Sequence, residues 1–179
     1  MNKLYEWCTS LSEKMNEGPY GGFYNDYFSD TSVLTSVGAW CIGIALTIAL
    51  VYYIGICNFS FKLAKRWCWL IVLFITGIVT LCISNNVMVG TYDGDPENST
   101  GFYASIDSTR ERLLQLCTTE EEINQVNIDS GTLRDSVREG TETIFLEISL
   151  VNAFYSLILF ILFSVFLKRF STHGKAIPW

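Results

Sequence analysis

The stretch VLTSVGAWCIGIALTIALVYYIGI, residues 33–56, carries no charged side chain along its whole length. A helix that rises about 1.5 Å per residue needs roughly 20 apolar residues to cross about 30 Å of hydrocarbon. The backbone groups of such a segment find no water in lipid, and a helix satisfies them internally. The sequence therefore predicts a first transmembrane helix over residues 32–57.

Two further blocks share this character. WCWLIVLFITGIVTLCISNNVMV, residues 67–89, is uncharged, and the block from Ile148 to Leu167 ends at Lys168 and Arg169. Only 17% of the 179 residues are charged, and they lie outside these blocks. This distribution suits a bilayer, where a mid-membrane charge costs at least ~2.5–3.5 kcal/mol. We predict an all-α membrane protein with three transmembrane helices, at 32–57, 67–89 and 144–168, and a small helical extracytoplasmic cap.

The basic residues predict the orientation of the chain. The short link 58–66 and the tail 169–179 are basic, whereas the N-terminal segment 1–31 and the long link 90–143 are acidic. Because cytoplasmic loops carry an excess of lysine and arginine, the N-terminus is expected outside and the C-terminus in the cytoplasm of an inner or plasma membrane. The formal net charge of −6 argues against a nucleic-acid partner.

The N-terminal segment is expected to contain an amphipathic helix followed by a loop. The loop is GPYGGFYNDYFSD, residues 18–30, whose glycines, proline and aromatic rings suit packing at the lipid headgroups. Cys8 and Cys117 both lie outside on this topology. A disulfide between them would tie the N-terminal helix to the long link.

The long link 90–143 is predicted to be largely helical. Asp107 or Ser108 is expected to cap a helix that ends near Cys117. Thr119 and Glu122 form a capping box for a short second helix, and a third helix is expected to continue into the last span.

The acidic turn YDGDPENST, residues 92–100, precedes these helices. Its alternating acids lack the sixth-position glycine and twelfth-position glutamate of a calcium loop, so a solvated turn is expected, with no metal and no cofactor. Asn98-Ser99-Thr100 is an acceptor triplet for N-glycosylation in a eukaryotic cell.

Small and amide residues mark candidate contacts between helices. Ser36, Ala39 and Gly43 lie on one face of the first span, where they let another backbone approach closely. The partner helix could belong to the same chain or to a second one. In the third span, Asn152 and Ser156 are expected to face protein, because an amide in hydrocarbon avoids lipid.

Thr76, Thr80 and Ser84 recur four residues apart and form a hydroxyl stripe on the second span. Such hydroxyls most often bond to carbonyls of their own helix, but a stripe could also line a pore.

No arrangement of residues typical of catalysis is found in the sequence. The one histidine, His173, lies in the tail, and no lysine lies within a span. The sequence favours a non-enzymatic subunit of a larger membrane complex, which acts as an anchor or interaction partner through its helices and acidic cap. The alternative is a homo-oligomeric channel or membrane-disrupting pore. The expected partners are the lipid bilayer and other membrane proteins or further copies of the chain.

Overall fold

The computed structural model describes residues 20–29, 31–59, 66–139 and 143–171, and the regular elements in these ranges are helical. Six helices follow one another: α1 (Gly21–Ser29), α2 (Thr31–Leu50), α3 (Arg66–Val89), α4 (Gly101–Leu116), α5 (Glu120–Glu139) and α6 (Thr143–Leu167). Helix α2 continues through a π-helical turn, Val51–Ile56, into Cys57–Phe59. Short 3-10 helices lie at Pro96–Asn98 and Lys168–Phe170.

Three segments are long and apolar enough to cross a membrane. They are Val33–Ile56, Arg66–Val89 and Thr143–Phe170, with 24, 24 and 28 residues. At about 1.5 Å per residue, each is longer than the ~30 Å hydrocarbon core. The predicted number and positions of such helices are confirmed, and we call α2, α3 and α6 the span helices.

The chain divides into two compact units, and each span helix contributes residues to both. The span unit comprises Ser36–Ser84 and Ser149–Trp179, and the polar unit comprises Met1–Thr35 and Asn85–Ile148. The predicted amphipathic helix in 1–19 lies outside the described residues, as do most of the basic link and the end of the tail.

The span unit buries several polar side chains and exposes many large apolar ones. Thr76 and Asn152 are at most 1% exposed, whereas Trp67, Phe74 and Phe166 are 76%, 69% and 69% exposed. A water-soluble protein buries such large apolar side chains. Lipid removes the hydrophobic drive for helices to associate, so their contacts use small and polar side chains instead. This inverted arrangement is what a lipid environment favours.

An aromatic cluster holds one end of the span unit together. Tyr52 and Tyr53 in the π-helical turn are each 1% exposed and meet edge to face, with 5.1 Å between ring centroids. A π-helical turn holds an extra residue, which lets two consecutive side chains face one core. Trp69 packs against Phe160 and donates from Nε1 to Ser164 Oγ at 3.3 Å.

Helix α1 supplies aromatic rings to the core of the polar unit. Tyr24 stacks on Phe102 with 5.0 Å between centroids, and Tyr27 meets the same ring edge-on at 5.1 Å. The Tyr27 hydroxyl donates to the Met88 carbonyl at 2.8 Å, and burial raises the pKa of Tyr27. The structure differs here from the predicted loop, because these rings recur at helical spacing and α1 buries them together.

The helices of the long link also differ from their predicted bounds. The N-cap of α4 is Thr100, so Asp107 lies inside the helix and is 5% exposed. Helix α5 is one helix of 20 residues, where the sequence predicted two: a short second helix and a third that continues into the last span. It ends at Glu139, and the predicted continuation into the last span falls on residues 140–142, which lie outside the described residues.

The predicted capping box at the start of α5 is confirmed. Glu122 N donates to Thr119 Oγ1 at 3.3 Å, and Thr119 N donates to Glu122 Oε2 at 3.2 Å. The Thr118 backbone N–H also donates to this carboxylate, at 2.9 Å. These backbone hydrogen bonds, first from Thr118 and then from Thr119, hold the pKa of Glu122 below its usual value.

Candidate functional site

The predicted small-residue face of α2 is exposed. Ser36, Ala39 and Gly43 are all on the surface of the span unit. A Cβ built on Gly43 would meet no other atom within 4 Å. Gly77 on α3 is different, because its Cβ would lie 3.2 Å from Leu157 of α6. Gly77 thus lets α6 of the same chain pack closely against α3. No described part of the chain packs against Gly43 in this way.

Asn152 lies where the three span helices meet. Its side-chain Nδ2 donates to Ser84 Oγ of α3 at 2.8 Å, and its backbone carbonyl accepts from Cys41 Sγ of α2 at 3.2 Å. An interhelical hydrogen bond of this kind contributes about 1 kcal/mol. Ser156, one turn further along, donates to the Ala153 carbonyl at 2.7 Å. The structure therefore brings Asn152 and Ser84 together and turns Ser156 onto its own helix.

The hydroxyl stripe of α3 is buried within the span unit. Thr76, Thr80 and Ser84 are 0%, 1% and 2% exposed. Thr76 donates to the Val72 carbonyl at 2.8 Å, and Thr80 donates to the Thr76 carbonyl at 2.9 Å. The hydroxyls of Thr76 and Thr80 thus bond to carbonyls of their own helix, and the Ser84 hydroxyl accepts from Asn152.

Of the two predicted disulfide partners, only Cys117 lies within the described residues. Cys117 is a free thiol whose Sγ donates to the Leu113 carbonyl at 3.2 Å. Cys8 lies outside the described residues, so a bridge between the two stays a prediction.

A buried ion pair, which was not predicted from the sequence, joins α4 to α5. Arg134 pairs with Asp107, and their side chains are 16% and 6% exposed. The same guanidinium donates to the Tyr92 hydroxyl at 3.1 Å and lies 4.5 Å from the centre of that ring. Tyr92 in turn stacks on Tyr103 of α4, with 5.6 Å between centroids. The available signal was the opposite charge of Asp107 and Arg134 in successive predicted helices, but Asp107 was assigned to a cap.

The segment from Gly90 to Gly101 forms a loop with a tight neck. Both glycines have positive φ, 78° and 62°. A Cβ on Gly90 would lie 1.9 Å from the Thr100 carbonyl oxygen, so only glycine fits there. Thr100 N donates to the Thr91 carbonyl at 3.0 Å, and Thr91 N donates to Thr100 Oγ1 at 2.9 Å. The neck fixes both ends of the acidic turn.

The acids of this loop serve local structure. Asp95 Oδ1 accepts from Glu97 N at 3.1 Å, and its Oδ2 accepts from the Asn98 side-chain amide at 2.9 Å. Within the described part of the chain, no group of three or more His, Cys, Asp or Glu residues is placed to hold a metal ion.

Two clefts open on the polar unit. The larger, about 750 Å³, lies between α1 and α4 and includes the ion pair of Asp26 with Arg112. The smaller, about 650 Å³, lies beside the loop neck and is lined in part by Tyr92, Tyr103 and Arg138. Burial raises the pKa of Tyr103, against the opposing effect of Arg138. Both clefts have mixed polar and apolar walls, without the predominantly apolar lining of a typical small-molecule pocket.

Comparison with known proteins identifies no relative. No protein family, no curated protein and no solved structure matches the chain.

Proposed function

We propose that this chain is a non-enzymatic integral membrane subunit, which anchors or recruits other proteins of a membrane complex. The span helices cross the bilayer three times, with the N-terminus outside and the C-terminus in the cytoplasm. The polar unit then faces outward as an acidic helical cap. The observation that carries the proposal is the exposed small-residue face of α2.

The rest of the exposed span surface explains why that face is unusual. Trp40 and Ile42 on the same helix are 53% and 51% exposed, as suits contact with lipid. Ser36, Ala39 and Gly43 offer lipid little apolar area, and they let a second helix approach closely enough for backbone packing. We propose that a helix of another membrane chain occupies this face.

The first half of α5 offers a second contact surface. Glu120 and Glu121 are exposed beside Ile123 and Ile128, which are 38% and 60% exposed. Acids that surround exposed apolar side chains suit a partner with a basic, partly apolar surface. Of the three successive glutamates, Glu122 forms the capping box, whereas Glu120 and Glu121 take no part in it.

The test is a mild-detergent pull-down of the full chain with Gly43→Leu. A Cβ at Gly43 would meet no other atom within 4 Å, so the variant should fold as before and lose its membrane partner. Gly55→Leu is the control, because a Cβ at Gly55 also meets nothing within 4 Å but lies in the π-helical turn, away from Ser36 and Ala39 along the chain. Equal partner recovery with all three proteins would contradict the proposed contact.

The alternative function, a pore, would require the hydroxyl stripe of α3 to be accessible to water. A lining of Thr76, Thr80 and Ser84 needs these groups to face water, whereas each is buried within one chain. This burial favours the subunit proposal. Ion flux through liposomes that contain only this chain, abolished by Thr80→Leu, would favour the pore instead.

A further inference from the structure

The chain contains two acceptor triplets for N-glycosylation, one on each side of α3. Asn58-Phe59-Ser60 precedes this helix, and Asn98-Ser99-Thr100 follows it. If α3 crosses the bilayer once, the two asparagines lie in opposite compartments. The oligosaccharide transferase acts in only one of them, the lumen that becomes the outside of the cell. Only one of the two triplets is therefore open to modification.

The structure presents Asn98 well for this reaction. It ends the 3-10 helix Pro96–Asn98, and its side chain is exposed. Its neighbours Pro96 and Gly94 suit a turn on the surface. The acceptor amide thus lies on the surface of the loop that Gly90 and Gly101 close.

Asn58 has a different setting. It lies in the short helix Cys57–Phe59, which continues α2 after the π-helical turn, and is half-buried. Its predecessor Cys57 is fully buried in the aromatic cluster of the span unit. A half-buried position beside the aromatic cluster is a poor substrate for an enzyme that needs an accessible triplet.

We propose that Asn98 is the N-glycosylation site of this chain in a eukaryotic secretory membrane, and that Asn58 stays unmodified. The proposal rests on the orientation given under the proposed function, which places residues 90–143 outside. The donor is an oligosaccharide linked to a polyprenyl diphosphate. Asn98 Nδ2 bonds to the anomeric carbon, the bond from that carbon to the phosphate oxygen breaks, and the polyprenyl diphosphate leaves with the electron pair. The amide gives up one proton to the enzyme's base.

The folded loop accommodates the product. A primary amide carries two N–H groups, and glycosylation consumes one of them. The other can still donate to Asp95 Oδ2, the bond that the amide makes at 2.9 Å. The hydrogen bonds of the neck use Thr91 and Thr100, not Asn98, so the glycan leaves them intact.

The test is expression of the full chain in cultured mammalian cells, followed by digestion with peptide N-glycosidase. We expect one glycan on the wild-type chain, seen as a band that shifts on digestion. Asn98→Gln should abolish the shift, while Ser60→Ala, which destroys the other triplet, should leave it unchanged. Thr100→Ser is the matched control near the site, because it keeps both the triplet and the hydroxyl.

The remaining outcomes overturn the proposal in distinguishable ways. A shift lost in Ser60→Ala and kept in Asn98→Gln would reverse the orientation and defeat both proposals. No shift in any variant would defeat the glycosylation site alone, provided that orientation is read independently. For that reading, an epitope inserted after Gly94 should be stained on intact cells, and an epitope after Trp179 only after permeabilisation.

Discussion

The ion pair of Asp107 with Arg134 gives the sharpest test of how the polar unit is held together. Replacing Asp107 by Asn removes the negative charge with little change in volume. Arg134 then keeps its charge at 16% exposure, with the neutral amide oxygen of the new side chain and the Tyr92 hydroxyl and ring as partners. Removing one partner of a buried pair costs about 3–5 kcal/mol. Because Arg134 retains Tyr92 and some water, we expect the lower end, about 3 kcal/mol.

Arg134→Met should cost more than Asp107→Asn. It leaves a carboxylate at 6% exposure. It also removes the hydrogen bond and the cation–π contact with Tyr92. We expect about 5 kcal/mol, the upper end for a broken buried pair. The double variant Asp107→Leu with Arg134→Met removes both charges and replaces them with apolar volume. Its stability should return to within about 1 kcal/mol of the wild type, since such replacements of buried pairs are often neutral.

The assay is backbone hydrogen exchange of α4 and α5, followed by mass spectrometry of the chain in detergent micelles. Amides in the core of a cooperative unit report its opening free energy. A loss of about 3 kcal/mol corresponds to exchange roughly a hundredfold faster, at about 1.4 kcal/mol for each factor of ten. If the double variant exchanges as fast as Arg134→Met, the cost comes from lost packing and the argument from unpaired charge is wrong.

Three further predictions concern the loop neck, the capping box and the centre of the span unit. Gly90→Ala should lower the free energy of unfolding of the polar unit by about 3 kcal/mol, because its Cβ would lie 1.9 Å from the Thr100 carbonyl oxygen and the neck hydrogen bonds, each about 1 kcal/mol, would open. Gly94→Ala is the control: its φ of 86° is similar but its Cβ meets nothing within 4 Å, so only backbone strain of about 1 kcal/mol is expected by thermal melting. The lowered pKa of Glu122 means that its cap contributes fully above the unfolded pKa of about 4.3 and is lost as the pH falls through the lower folded value. Protection of the amides at the start of α5 against hydrogen exchange, corrected for the intrinsic rate at each pH, should follow this change in the wild type and not in Glu122→Gln. Equal protection curves for the two proteins would contradict the assignment. Asn152→Leu should lower the stability of the span unit by about 1 kcal/mol in a detergent unfolding titration, and an unchanged midpoint would mean that the amide bond to α3 contributes nothing.

The span helices were predictable because one physical constraint dominates them. Lipid excludes charge and unsatisfied backbone groups, so a run such as residues 33–56 leaves few alternatives to a helix of that length. The capping box of Thr119 and Glu122 was predictable for a similar reason. Its hydrogen bonds join residues three apart, and no distant part of the chain decides them.

Contacts between distant segments were harder to predict. The aromatic residues of α1 follow a glycine-rich stretch and suggested a surface loop, yet Tyr27 is buried against Phe102 and Met88. Asp107 is a good helix cap by its own chemistry, but its partner Arg134 lies 27 positions along the chain, in α5. Sequence alone also placed Ser36 and Gly43 on one face without deciding whether the chain itself covers that face.

The hydroxyls of the span helices bear on how the chain enters a bilayer during synthesis. Thr76 and Thr80 donate to carbonyls four residues earlier, and Ser156 to one three residues earlier, so each helix arrives in lipid with these groups already satisfied. Asn152 differs from these hydroxyls, because its amide donates to Ser84 of another helix. Since α3 is translated before α6, that acceptor is already in the membrane when Asn152 arrives. Helix α6, the last span helix to be translated, therefore carries a polar side chain, Asn152, whose hydrogen-bond partner lies on a helix that was translated earlier.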